Sequence, residues 1–422
     1  IHEKEFYELP YLISSNKPNK VLIVGSGSGN DVAAANRLQI AEVHAVEIDP
    51  VIVDIGKKLH PEGPYFNQNV KIIIDDARSF INNTENKYDI IVYGLLDSQM
   101  NLSSKGGIRL DSYVYTLEAF QEAKNKLTDE GFICISFFAQ TPEIAFKIFS
   151  MISEVFSIKP LVLKSDINSR YVYAISHNID FKFNTESLEF FKVSNEFNNT
   201  TIEIDHSTDD WPFLYMPKKV YPVSYLIIVL ILIISSFLFL KKITFIKKEK
   251  FSFSCFFLGA GFMLIETKCI TEFAKIYGST WLVNAIVISS ILFMAFFANY
   301  LVIKKIKINL IMNYLLIFLT ILIGYYLFTN INTKLNIVLY PVILTLPILF
   351  SGIAFSKELL KMNSTSQALS ANILGAMLGG FLEYNSMYFG FSFLYILAGI
   401  LYLLAFLTSK HQKILLIKLV QL

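Results

Sequence analysis

Cysteine is nearly absent from this chain, with three thiols in 422 residues, Cys134, Cys255 and Cys269. Their spacing offers neither a paired disulfide framework nor a metal-ligand cluster, so no metal is expected and the three are read as reduced thiols in apolar surroundings. Charge of one sign is lacking too. Lys and Arg total 37 against 35 Asp and Glu, a formal net charge of +2. That balance argues neither way on nucleic acid, but no basic arm or aromatic-interleaved stripe stands out, and no nucleic-acid partner is expected. A third lack is positional. Residues 1–215 contain no apolar run able to cross a bilayer, whereas from Tyr221 onward such runs follow one another with little charge between them. The chain opens on Ile1 with no signal-peptide pattern and is expected to be a piece of a longer one.

In the first half, short β-type runs end in glycine or acid and alternate with helical stretches. Lys20–Gly25, Val43–Glu47, Val70–Ile74, Tyr88–Tyr93 and Gly131–Phe137 read as strands; Asn30–Leu38, Pro50–Leu59 and Thr141–Phe156 read as helices. Such alternation predicts an α/β Rossmann-like fold, a doubly wound parallel sheet. Leu161–Lys164 and Arg170–Ile175 are expected to close the sheet as a final strand pair, giving a domain over 1–178. Residues 177–207 are polar and Asn-rich and carry no assignment, and 179–222 is expected to be an irregular connection.

The chemistry lies where strands hand over to helices. Gly25, Gly27 and Gly29 permit a tight turn against which a ligand can lie, near the positive end of the following helix. Glu47 ends the next strand about twenty residues on, where an acid can accept from both hydroxyls of a ribose. Asp75-Asp76-Ala77 ends the third strand. A carboxylate there can accept from an adenine amino group while a neighbouring N–H donates to the ring, although taken alone Asp76 reads as a helix N-cap. Three such features ending three successive strands point to one crevice and an adenosine-type ligand. Asp97 lies just beyond the fourth strand, placed to orient or deprotonate an attacking amine or hydroxyl. The polar loop Gln99–Gly107 can close over substrate with Tyr113 and Tyr115 as walls, or be a surface loop with Asp111 as a cap.

These stretches, GSGSGNDVAAA, AVEIDP, DDARSF, YDIIVYGLLDS and RLDSYVYTLEAF, resemble spermidine synthases and their S-adenosylmethionine-dependent methyltransferase relatives. More closely they resemble membrane-embedded spermidine synthase-like proteins, and the later Thr208–Tyr215, Gly259–Lys268 and Ser370–Tyr384 look like the membrane relatives too. The resemblance implies S-adenosylmethionine or its decarboxylated form as co-substrate, on Gly25, Ser26, Gly27, Gly29, Asn30, Asp31, Glu47, Ile48, Asp76 and Ala77. It implies catalysis by Asp97 and Tyr115, with Ser98, Arg109, Asp111, Tyr113, Asp209 and Asp210 on the substrate side. The soluble enzymes carry a second, earlier aspartate in the Asp97 motif, where this chain has Gly94, and their tyrosine-histidine-glutamate segment survives here at most as His2-Glu3. The acceptor is therefore left open among a polyamine, another small molecule and a membrane lipid, and a homodimer is one assembly compatible with this reading.

Seven apolar stretches are candidate spans of an all-α membrane domain over 223–408: Val223–Leu240, Phe251–Ile265, Trp281–Ile303, Leu310–Phe328, Leu335–Phe355, Ala368–Phe389 and Phe391–Leu407, with a basic tail over 409–422. The second is short and glycine-rich, hence re-entrant or tilted. Trp211 and Tyr215 suit a membrane interface, while Asp209 and Asp210 suit the rim of the crevice, adding charge for a cationic substrate. Glu266 and Glu383 lie at or within apolar helices, and Lys268 is close enough to Glu266 for an ion pair. Gly375 and Gly379 have the spacing that lets two helices approach closely. Lysine counts leave the topology ambiguous. Nucleoside supply favours a multi-pass protein of a bacterial-type inner membrane with its catalytic domain facing the cytoplasm. A non-catalytic transporter or sensor for nucleoside or polyamine is the rival reading. A dinucleotide oxidoreductase is disfavoured, because GxGxG lacks the third glycine of GxGxxG.

Overall fold

The computed structural model describes residues 2–96, 110–139, 141–165, 170–186, 188–247, 251–278, 281–306, 308–329, 339–362 and 364–409. It divides into two compact units, residues 1–218 with 275–280 and residues 219–274 with 281–422.

The first unit is an α/β Rossmann-like domain built on an eight-stranded sheet in the order β3-β2-β1-β4-β5-β7-β6-β8. Strands β1 (Lys20–Val24), β2 (Glu42–Glu47), β3 (Val70–Ile74), β4 (Tyr88–Tyr93) and β5 (Leu127–Phe138) run parallel. Their Val- and Ile-rich text suits strands covered on both faces, and β1 and β4 are nearly sealed from solvent. The expected final pair is present as β6 (Leu161–Ser165) and β7 (Arg170–Ser176). It is folded back so that β7 lies antiparallel between β5 and β6.

Helices α2 (Asn30–Arg37), α3 (Pro50–Leu59), α4 (Ala77–Asn83), α5 (Leu117–Lys124) and α6 (Pro142–Phe156) fill the crossovers. Their starts are written in the sequence: Asp49 accepts from Val51 N at 2.8 Å, Asp76 from Ser79 N at 3.0 Å and Thr116 from Ala119 N at 3.1 Å. Helix α5 comes from a stretch with no predicted structure, as do two further elements. Helix α1 (His2–Leu12) buries Phe6 and Leu9 against one face of the sheet. Within the unassigned Asn-rich stretch, β8 (Phe191–Val193) pairs with β6, and the Phe191 ring meets Phe6 at 6.1 Å.

The second unit is helical: α7 (Val223–Lys247), α8 (Phe253–Tyr277), α9 (Trp281–Ile303), α10 (Leu310–Thr329), α11 (Leu339–Lys361), α12 (Thr365–Leu382), the short α13 (Ser386–Phe389) and α14 (Phe393–Thr408). Four segments, Phe253–Lys275, Ala285–Ile303, Leu310–Leu327 and Leu339–Lys361, are long and apolar enough to cross a membrane. Apolar side chains such as Ile288, Leu292, Phe293 and Phe296 on α9 are exposed.

Three sequence expectations are corrected here. Phe251–Ile265 is no short re-entrant piece, since α8 continues for 25 residues to Tyr277. Lys268 pairs not with Glu266 but with Glu272, one turn on, at 2.7 Å with both side chains about 1% exposed. A partner at i+4 on the buried face neutralises Lys268 without breaking the helix. The stretch Ala368–Phe389 is not one helix, because α12 gives way at Glu383 to a 3-10 turn; there Glu383 accepts from Thr267 Oγ1 at 3.1 Å.

The Gly375/Gly379 spacing does what small residues do at helix crossings. A Cβ on Gly375 would stand 1.8 Å from Phe256 O of α8, and one on Gly379 would stand 2.5 Å from Ala260 O. Because backbone atoms cannot move aside, Gly375→Leu is expected to part α8 from α12 and cost at least the 1–3 kcal/mol or so of an overpacked core. A lowered melting temperature of the detergent-solubilised chain checks this, and an unchanged one refutes it.

Candidate functional site

The open sheet reverses its winding between β1 and β4, the place where such sheets bind ligands beyond the carboxyl ends of their strands. Residues 25–29 leave β1 there in a turn whose three glycines all take positive φ, +73°, +53° and +105°. The turn is tied down from several sides. Gly25 N and Ser26 N both donate to Val46 O, at 2.9 and 3.0 Å. The Tyr65 hydroxyl donates to Gly27 O at 2.6 Å and lies 3.0 Å from Ser26 Oγ. Gly56 of α3 lets that helix press on the turn, where an added Cβ would stand 2.4 Å from Ser28 O. Neither Tyr65 nor Gly56 was expected as part of the site. The signal available was Gly63-Pro64 ahead of Tyr65, which forms a short 3-10 turn aimed at the glycines.

Glu47 is buried at the end of β2. Its Oε2 accepts from Gly27 N at 2.8 Å and its Oε1 from Asp49 N at 3.0 Å. One carboxylate thus holds the glycine turn to the start of α3, and each of its oxygens has further lone-pair capacity. Asp75 N donates to Glu47 O at 3.1 Å, which brings Asp75, Asp76 and Ala77 alongside. Asp76 is buried and caps α4, the alternative its sequence left open; burial raises the neighbouring Asp75 carboxyl above its usual range. Ile48 is exposed beside Glu47. Asn30 turns to the outer side of α2, donating to the Tyr7 hydroxyl at 3.2 Å and meeting His60 Nε2 at 3.1 Å.

Asp31, in the first turn of α2, points back to the switch point: its Oδ2 lies 3.2 Å from where a Cβ on Gly94 would stand. Gly94 directly follows β4, and Leu96 packs over Gly25. Burial pushes the Asp31 carboxyl up to about 7, opposed by a hydrogen bond from its own backbone N–H. Asp97, Ser98 and Arg109 lie outside the described residues, as does the side chain of Asp111.

Several substrate-side expectations are corrected. Tyr115 is no crevice wall, because its ring is buried against Tyr93, Phe120 and Phe137, with centroids 5.6–6.4 Å away. Tyr113 is likewise buried. Asp209 is not at a rim. It accepts from Arg78 Nη2 at 3.1 Å and from Thr116 Oγ1 at 2.7 Å, while its own N–H donates to Glu118 at 2.9 Å. Arg78 also donates to Glu122 at 2.9 Å. Burial raises Glu118, and it pushes Glu122 up to about 7 against the pull of Arg78. Asp210 sits half-buried in the same turn. Trp211 does not serve a membrane belt. It is 1% exposed, and Lys147 Nζ stands 4.6 Å over its ring while donating to Phe213 O and Met216 O at 2.9 and 2.8 Å. The TDDWPFLY segment is therefore a buried clasp on α4, α5 and α6. Among the described residues, no group of three or more His, Cys, Asp or Glu gathers to hold a metal ion.

Known proteins resemble the first unit. Residues 6–163 match the spermine/spermidine synthase domain family. The chain is 29% identical over 198 residues to the polyamine aminopropyltransferase of Sulfurisphaera tokodaii, covering 46% of this chain and 62% of that protein. It is 27% identical over 139 residues to polyamine aminopropyltransferase 2 of Aquifex aeolicus, covering 31% of this chain and 27% of the relative. The chain thus spans less than two thirds of the length of these relatives. The crystal structure of spermidine synthase from Thermotoga maritima aligns with a TM-score of 0.34 at 20% identity, over 42% of this chain and 60% of that one. The glycine turn and its buried glutamate thus fall within the stretch, residues 6–163, that is similar to the spermine/spermidine synthase domain family.

Proposed function

We propose that this domain binds a sulfonium nucleoside, S-adenosylmethionine or its decarboxylated form, and transfers an alkyl group from it to a nucleophile at the β1/β4 switch. The observation that carries the reading is the buried Glu47 carboxylate, fixed by two backbone N–H groups beside the glycine turn. Its remaining acceptor capacity suits the two hydroxyls of a ribose, with the exposed Ile48 beside the base and the Asp76-Ala77 step at its edge.

In aminopropyl transfer, an amine lone pair attacks the carbon beside the sulfonium and the C–S bond breaks. Its electron pair stays on sulfur, releasing neutral methylthioadenosine, while the amine gives up a proton. In methyl transfer the methyl carbon is attacked and S-adenosylhomocysteine leaves. Asp97, three residues beyond Gly94 in the chain, is proposed to orient the nucleophile and take that proton. The names of the relatives support a polyamine as acceptor. The four long apolar segments of the second unit support a membrane anchor, which also brings lipid acceptors within reach. A domain facing the cytoplasm would have its nucleoside at hand.

The test is product analysis by mass spectrometry on the detergent-solubilised chain, given either nucleoside with putrescine or a lipid extract. Methylthioadenosine formed only from the decarboxylated nucleoside and an amine is expected for aminopropyl transfer, and S-adenosylhomocysteine for methyl transfer. Either product should fall at least a hundredfold in Asp97→Ala, at the lower end of what a general base contributes. Absence of both products refutes the transferase reading.

A further inference from the structure

We propose that Asp31 is a specificity-determining carboxylate of this site, one that meets the positive charge of a sulfonium nucleoside and so separates the charged co-substrate from its neutral thioether product. The inference rests on the nucleoside reading above and adds to it a charge-dependent role for one residue.

The fold argues for it first. Asp31 stands near the carboxyl ends of β1 and β4, with its Oδ2 3.2 Å from where a Cβ on Gly94 would stand. Glu47, at the neighbouring strand end, is already occupied in holding the glycine turn. A half-buried carboxylate pays a desolvation cost that an incoming cation offsets and a neutral thioether does not.

The groups facing Asp31 leave the titration to it. Tyr11 of α1, Tyr65 of the 3-10 turn and Cys134 of β5 are the titratable groups that feel its charge. Burial moves Tyr11 and Cys134 upward and Tyr65 to about 12, so these three stay neutral around neutrality. Asp31 itself titrates at about 7. Binding a cation therefore releases the proton from whatever fraction of Asp31 is protonated, and affinity for the cation falls as acid depletes the ionised form.

Calorimetric titration of the full chain in detergent with S-adenosylmethionine and with methylthioadenosine, over a range from about pH 5.5 to about pH 8, reads this directly. The wild type should bind the sulfonium progressively more weakly as pH falls through 7, levelling off about tenfold below its value near pH 8, with proton release on binding, while methylthioadenosine shows no such slope. Asp31→Asn should flatten the sulfonium slope and weaken sulfonium binding about tenfold near pH 8. Its unchanged affinity for methylthioadenosine would show that the variant is folded. An Asp31→Asn protein that keeps the slope, or a slope shared by both ligands, overturns the assignment. Failure of both ligands to bind at any pH overturns instead the nucleoside reading beneath it.

Discussion

Glu47→Ala is expected to abolish nucleoside binding within the accessible concentration range and to loosen the first unit at the same time. Two charge-assisted hydrogen bonds, from Gly27 N and Asp49 N, end on this carboxylate. Each is worth about 1.5–3 kcal/mol, so removing the acceptor leaves two N–H groups of a buried turn without it and costs about 3 kcal/mol or more of stability. On the proposed reading, the ribose would lose its acceptors in the same stroke. A comparable loss on the ligand side is about a hundredfold or more in affinity. Glu47→Gln separates the two effects. Its amide oxygen serves one N–H while its NH2 group confronts the other, so it should bind weakly yet melt above the alanine variant. Calorimetry with methylthioadenosine and thermal melts of the solubilised chain provide the readings. Binding by Glu47→Ala within twofold of wild type would remove Glu47 from the site.

What could be read in advance followed from locality. The strands Lys20–Val24, Val70–Ile74 and Tyr88–Tyr93 are short Val/Ile runs punctuated by glycine or acid, and each lies within its expected bounds. Glu47 was legible because a strand end and a glycine turn about twenty residues earlier define its place between them. Helix α1 was not, since Pro10 interrupts its pattern and its apolar face finds partners distant in sequence, in the sheet and at Phe191. Gly56 and Tyr65 were hidden for a related reason: their roles are set by approach to Ser28 O and Gly27 O, not by their own neighbours in sequence. Asp209 misled because TDDW reads locally as exposed acid beside an interfacial aromatic, whereas Arg78 and Thr116 decide its burial. Helix α8 was cut short at Glu266 because charge resembles an ending until the Lys268–Glu272 pair is seen.

The same clasp gives the largest expected effect on stability. Arg78 is 5% exposed and stands between Asp209 and Glu122, at 3.1 and 2.9 Å. In Arg78→Met the methionine fills the volume of the stem but leaves these carboxylates in the interior without their cation. Breaking a buried ion pair from one side costs about 3–5 kcal/mol. The pH dependence identifies the cause. An acid whose folded pKa is raised contributes stability that is fully present below its unfolded value and lost as pH rises through the folded one. For Glu122 that window already runs from 4.5 to about 7. Without Arg78 the folded Glu122 carboxyl shifts further up, so the window extends above 7 and the variant's deficit should shrink in acid. Urea titrations of the solubilised chain near pH 5.5 and near pH 8 should therefore show a small deficit at the lower value and the full deficit at the higher. Adding Asp209→Asn and Glu122→Gln to Arg78→Met should restore most of the loss near pH 8, because no buried charge is then left unmatched. A deficit equal at both pH values and unrelieved by the two amides would mean that the stem of Arg78 matters through packing alone, and that the clasp is not electrostatic.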